Sequence, residues 1–134
     1  MPKPTKFLKK LEELYPNYHI HFGKKFMFRP PKTIYFGPEN TPNFEFFALH
    51  ELAHAELGHF SFKTDIERIK MEVAAWEKTK ELCQKFGVKF DSSLSEEELD
   101  SYRNWLHQKS LCKKCGLNRY QTPDGAYHCP HCDL

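Results

Sequence analysis

No stretch of this 134-residue chain stays apolar for the length that a membrane span requires. The segment MPKPTKFLKK contains no run that could serve as the hydrophobic core of a secretion signal. A soluble, cytoplasmic protein is the expectation. Strong charge of one sign is also missing: a formal net charge of +2 and a pI near 8.2 give no general argument for nucleic-acid binding. Internal repeats and low-complexity segments are absent, which argues against solenoids and extended linkers. Length allows one ordinary domain with an appendage. What the chain has is buried-type surface, 40% apolar residues with twelve Phe, enough to set it apart from disordered proteins.

Cysteine is too scarce and too unevenly placed for a disulfide framework. There are five, four of them in two CxxC pairs, an arrangement that suits metal-holding thiolates in a reducing compartment. The fifth, Cys83, falls in a helical pattern and is expected to be a buried, inert thiol. Charge is uneven: residues 1–32 carry eight Lys or Arg against two Glu, and residues 103–119 carry five basic groups and no acid. Solvated helix faces account for such runs, and a contact with an acidic partner is the alternative.

Residues 5–15 place Phe7, Leu8, Leu11, Leu14 and Tyr15 on one stripe, with Thr5 positioned as a cap, and predict an amphipathic helix ending near Pro16. YHIHF, KFMF and TIYF, punctuated by Gly23, Pro30, Pro31 and Gly37, read as three short strands, with His19 and His21 on a solvated face. TIYF is the strand expected beside the active site. A helix begins at Asn43, runs through FEFFALHELAHAEL and is stopped by Gly58. A second long helix starts after Asp65, with Ile66, Ile69, Val73, Trp76 and Cys83 forming the core stripe, and ends at Phe86 before Gly87. A third carries a capping box of Ser95 with Glu98 and a staple of Leu94 with Leu99, and should continue to about His107.

His50-Glu51-Leu52-Ala53-His54 lies inside the first of these central helices, so the two imidazoles project from one face a single turn apart. They can grip one metal ion. Glu51 is next to the first ligand in sequence, where its carboxylate can act as a general base on metal-bound water. Zinc lowers the pKa of such a water towards ~7 and polarises the carbonyl under attack, which makes amide hydrolysis accessible at neutral pH. A catalytic zinc needs a third protein ligand and one open position. Glu72, eighteen residues after His54 and beside the apolar stripe, is favoured. Glu67, Glu77 and His59 are the alternatives. His59 follows His54 by five residues, where the extended HExxHxxGxxH pattern has six, and is better placed as a supporting group or a hydrogen-bond donor in the transition state.

Cys112-Lys113-Lys114-Cys115 and Cys129-Pro130-His131-Cys132 are separated by thirteen residues that include the turn Pro123-Asp124-Gly125. Each pair forms a tight knuckle, and a hairpin of that length brings the knuckles onto one ion. This is the pattern of a zinc ribbon. Gly116 fits the first knuckle, and His128 and His131 flank the second. Four thiolates close a tetrahedral site, so this zinc is expected to be structural and to stabilise a unit too small for a core of its own. Two zinc ions per chain follow, one catalytic and one structural. Lys109, Lys113, Lys114 and Arg119 make the ribbon basic and suit it to docking nucleic acid or a partner protein.

HELAHAELGH followed by KMEVAAWEKTKEL resembles the ImmA/IrrE-like zincin peptidases, a group associated with phages and mobile elements. The resemblance covers roughly residues 30–105 and is specific in those two helices. It implies a zincin-like α+β fold, with a sheet edge beside the active helix that holds the substrate extended; the start of the cysteine module near Lys109 sets the expected boundary between a peptidase domain over residues 1–108 and a ribbon over residues 109–134. The resemblance makes His50, His54 and Glu72 the ligands of the catalytic zinc and Glu51 the base. Where many relatives have a helix-turn-helix, this chain has its cysteines. An HExxH domain with a terminal ribbon is also similar to the SprT-like proteases, which act on DNA-bound proteins and use a third histidine where this chain offers Glu72. The expected function is a zinc metallopeptidase acting on a protein or peptide. Two alternatives stay open: a zinc hydrolase with another substrate, and a non-catalytic protein whose ribbon binds a protein or nucleic acid.

Overall fold

The computed structural model describes residues 6–133; the capping role expected of Thr5 lies outside them. The chain divides into two compact units, one of Met1–Phe60 with Ala74–Asp91 and the other of Ser61–Val73 with Ser92–Leu134. The fold is mixed α+β, with four helices and two small sheets among the described residues.

In the first unit, α1 (Lys6–Leu14) buries Phe7, Leu8 and Leu11 of the expected stripe, whereas Leu14 is exposed in its last turn and Tyr15 lies beyond the helix, half-buried. The three expected strands form one sheet: β1 (His19–Phe22), β2 (Met27–Arg29) and β3 (Thr33–Phe36). Their order is β1-β3-β2, with β3 parallel to β1 and antiparallel to β2. Ile34 and Phe36 of β3 are fully buried, while His19 and His21 are exposed as expected. TIYF is therefore the central strand. Both its edges are paired, and β2 is an open edge of the sheet. Helix α2 (Phe44–Glu56) packs on β2 and β3. Phe44 anchors its start in an aromatic cluster, 5.7 Å from Phe36 and 5.6 Å from Phe26 between ring centroids.

Helix α3 (Asp65–Phe86) is one unbroken rod whose residues serve both units. Its buried face in the first unit is Ala75, Trp76, Thr79, Leu82 and Cys83, which the expected stripe captured in part. Ile66 departs from that stripe. It is 50% exposed, because the first turn of α3 instead turns Asp65 inward. Thr64 Oγ1 accepts from the Glu67 N–H at 3.3 Å, and the Glu67 carboxylate reaches back to the Lys63 N–H at 3.2 Å. Thr64 thus caps the start of α3, and the Glu67 carboxylate ties down the residue before the cap.

In the second unit, α4 (Ser92–Ser110) starts earlier and ends later than its sequence suggests. Ser95 is buried inside the helix and its hydroxyl donates to the Ser92 carbonyl at 2.9 Å, so it does not cap. Asp91, an equally good capping residue type, stands just before Ser92. Leu94 and Leu99 therefore both lie within the helix and form no staple around its start; Leu99 is buried as a core residue. A short hairpin of β4 (Tyr120–Gln121) and β5 (Tyr127–His128) follows, joined through Gly125 at a φ of 94°. Among the described residues no helix is long and apolar enough to cross a membrane.

Candidate metal centres

His50 and His54 stand one turn apart on α2 with ring centroids 4.6 Å apart. Each ring is held through its Nδ1 edge. His50, 6% exposed, has Nδ1 3.2 Å from Thr79 Oγ1 and lies nearly parallel to the Trp76 ring, with 3.7 Å between centroids and 15° between planes. His54 Nδ1 is 3.0 Å from Nδ1 of His59. The second contact follows from how α2 ends. Gly58, at a φ of 68°, donates its N–H to the Ala55 carbonyl at 3.2 Å, and the His59 N–H donates to the His54 carbonyl at 3.1 Å. This is a Schellman closure, in which the residue after the left-handed glycine is folded back over the last turn. A spacing of five thus lays His59 against His54.

Glu72 is buried on α3, one turn before Trp76 and seven residues before Thr79, on the face those residues share. A carboxylate oxygen of Glu72 and one ring nitrogen each of His50 and His54 lie within 4.8 Å of one another. The three form a candidate site for one metal ion. Glu72 also receives a hydrogen bond from the Tyr102 phenol; burial first, and then the Glu72 charge, push the Tyr102 pKa up. The Arg68 guanidinium lies over the rings of Tyr102, Trp105 and Phe62 at 5.2, 4.8 and 5.6 Å. Glu67 belongs to the helix cap and Glu77 is exposed, so neither joins the group. Glu51 is half-buried on α2, beside His50 in sequence.

The four cysteines converge. Their sulfurs lie within 4.8 Å of one another, with Cys112 to Cys132 at 3.9 Å and Cys115 to Cys129 at 3.5 Å. A tetrahedral zinc with sulfurs at ~2.3 Å has edges of about 3.8 Å, so the donor set fits that ion in both chemistry and size. The first knuckle is closed by the Cys112 N–H to Leu117 carbonyl bond at 2.7 Å and the Gly116 N–H to Cys112 carbonyl bond at 2.9 Å. Backbone N–H groups of Cys115 and Lys114 draw the Cys112 thiol down to about 6. His128 and His131 stay outside the sulfur cluster.

Two of the ribbon's basic residues are committed internally. Lys109 pairs with Asp65 at 2.9 Å, and Arg119 donates to the carbonyls of Ser110 and Lys109 at 3.2 and 2.9 Å. Lys113 and Lys114 are exposed. Cys83 is 1% exposed, and burial raises its thiol to about 11, as suits an inert core group. Sequence reasoning missed Thr79 and Tyr102. The signal for Thr79 is a hydroxyl in an otherwise apolar helical face; no local signal marks Tyr102. Compared with protein-family models, curated proteins and solved structures, the chain matches none.

Proposed function

We propose that the chain is a zinc-dependent metallopeptidase that hydrolyses peptide bonds of a protein substrate, with a zincin-like catalytic unit and a structural zinc ribbon. The convergence of His50, His54 and Glu72, with Glu51 next to His50 in the sequence, supports this reading. Two imidazoles and one carboxylate are the donor set of a catalytic zinc with a position left open, whereas the four-thiolate set is closed.

Bound zinc supplies acidified water and a Lewis acid for the scissile carbonyl. The protein's own residues do the rest. His50 and His54 hold the ion through the ring edges not used by Thr79 and His59. Glu51 accepts the proton of the attacking water and returns it to the leaving amine. The open edge of β2, on which α2 packs, offers unpaired backbone groups along which an extended peptide can lie, and an unfolded segment meets that requirement most readily. The ribbon's role in this reading is stability first, since Lys109 and Arg119 serve internal contacts; Lys113 and Lys114 remain as the basic groups for a docking partner.

The test is cleavage of unfolded proteins at neutral pH by the zinc-loaded full chain, abolished by chelation and restored by zinc. Two zinc ions per chain are expected by elemental analysis, one of them removable by mild chelation. A chain that holds both ions yet cuts no unfolded substrate would leave a zinc protein of another kind.

A further inference from the structure

The hydrogen bonds around Thr79 have only one consistent direction. Its Oγ1 lies 2.6 Å from the Ala75 carbonyl, which can only accept, so the single hydroxyl proton is spent there. The same oxygen lies 3.2 Å from His50 Nδ1, and with its proton committed it can only accept from that nitrogen. His50 must therefore carry a proton on Nδ1, and in the neutral form that a metal ligand requires the lone pair is on Nε2. Thr79 is 0% exposed, so no solvent competes for either bond. The Trp76 ring, stacked 3.7 Å away, fixes the plane of the imidazole and so the direction of that lone pair.

We propose that Thr79 is a positioning residue for the metal centre, which relays the fixed Ala75 carbonyl to His50 and locks the tautomer and ring orientation that presents Nε2 to the ion. The relay is short and local: Ala75 and Thr79 are one turn apart on α3 and His50 faces them from α2. A neutral imidazole in water exchanges between tautomers and rotates freely. Here both freedoms are removed before a metal arrives, and partners of this kind govern metal affinity in proportion to how well they hold the ligand. The inference rests on His50 being a metal ligand and is independent of peptidase activity.

The experiment compares full-length wild type with Thr79→Val, Thr79→Ala and Thr79→Ser. Val keeps the shape and loses the oxygen, Ala loses both oxygen and methyl, and Ser restores the oxygen alone. Zinc transfer to a chromogenic chelator is followed while a thiol-reactive titrant counts the cysteine-held ion separately. Val and Ala are expected to weaken the weaker site about 10- to 100-fold and leave the thiolate site unchanged, with Ser close to wild type. Nitrogen-15 correlation spectra of the imidazoles in chelator-treated protein supply a second readout: His50 should show one tautomer in wild type and Ser, and a mixture in Val or Ala. Whichever of Val and Ala stays folded decides the outcome. Wild-type affinity and an unchanged tautomer in that variant would overturn the proposal, as would a Ser variant that behaves like Val. A wild-type chain that binds only the thiolate-held zinc would instead remove the metal-centre reading, and this inference with it.

Discussion

The phenol of Tyr127, on the second strand of the ribbon hairpin, donates a hydrogen bond to the carboxylate of Asp65, the first residue of α3. Gln121 reinforces the tie by accepting the Asp65 N–H at 2.7 Å, and Lys109 adds an ion pair at 2.9 Å. The ribbon therefore has a buried polar seam with the start of α3 in the same unit. A hydrogen bond to a buried charge is typically worth about 1.5–3 kcal/mol, so Tyr127→Phe is expected to destabilise this unit by that order. Denaturant unfolding read by fluorescence checks it, and an unchanged midpoint would reduce the seam to a packing contact.

Asp65 also sets an acid dependence. Burial alone would raise its carboxyl, but the Tyr127 and Lys109 bonds outweigh burial and hold it below its ordinary 3.8. A folded-state value below the unfolded one contributes stability that is full above the unfolded value and disappears as pH falls through the folded one. Stability should fall below pH ~4 more steeply in wild type than in Asp65→Asn. Acid also strips thiolate-bound zinc, but from both proteins alike, so the difference between the two curves isolates Asp65. Coincident curves would show that its ionisation contributes nothing.

Removing the zinc proposed for the four cysteines should reach beyond their hairpin. Cys115→Ser leaves three sulfurs for the ion, and a small metal-dependent unit without its metal loses its fold. Hydrogen exchange is expected to accelerate over residues 112–133 and at the Asp65 end of α3, while β1 to β3 keep their protection. Loss confined to the knuckles would mean that the seam stands without metal.

The parts of the site legible in the sequence are those whose geometry is local. His50 and His54 need only a helix to meet, and each CxxC pair needs only a knuckle. Gly58 and Gly87 marked two helix ends correctly because a left-handed residue after the last turn is a local requirement. The start of α4 was illegible because Asp91 and Ser95 are equally good caps, and only packing decides between them. Ile66 was misplaced because the first turn of α3 buries Asp65 against Tyr127, Gln121 and Lys109, partners distant in the sequence. The order β1-β3-β2 and the contacts of Thr79 and Tyr102 depend on which elements meet in space, and no spacing along the chain encodes that.

The assignment of Glu72 over Glu67 is open to direct comparison. Glu72→Ala is expected to weaken the His50–His54 site by at least about tenfold, since it removes the proposed third ligand and strands Tyr102. Glu67→Ala removes one cap contact, costs on the order of 1 kcal/mol or less, and should leave both metals in place. Competition with a zinc-binding dye measures the first and thermal unfolding the second. The reverse pattern would move the third ligand one turn along α3.

Glu51→Gln separates catalysis from metal binding. The amide keeps the shape of the carboxylate, leaves His50, His54 and Glu72 free to hold the ion, and removes only the group that accepts a proton. The variant should remain folded and retain both zinc ions. General-base assistance is worth about 10² to 10⁴ in rate, and because the proton moves in the transition state the loss should fall on kcat with KM little changed. His50→Ala should by contrast lose the removable zinc and the activity together, since one imidazole and one carboxylate hold zinc poorly. A metal-loaded Glu51→Gln enzyme that cuts at the wild-type rate would show that the proton goes elsewhere and that Glu51 is not the base.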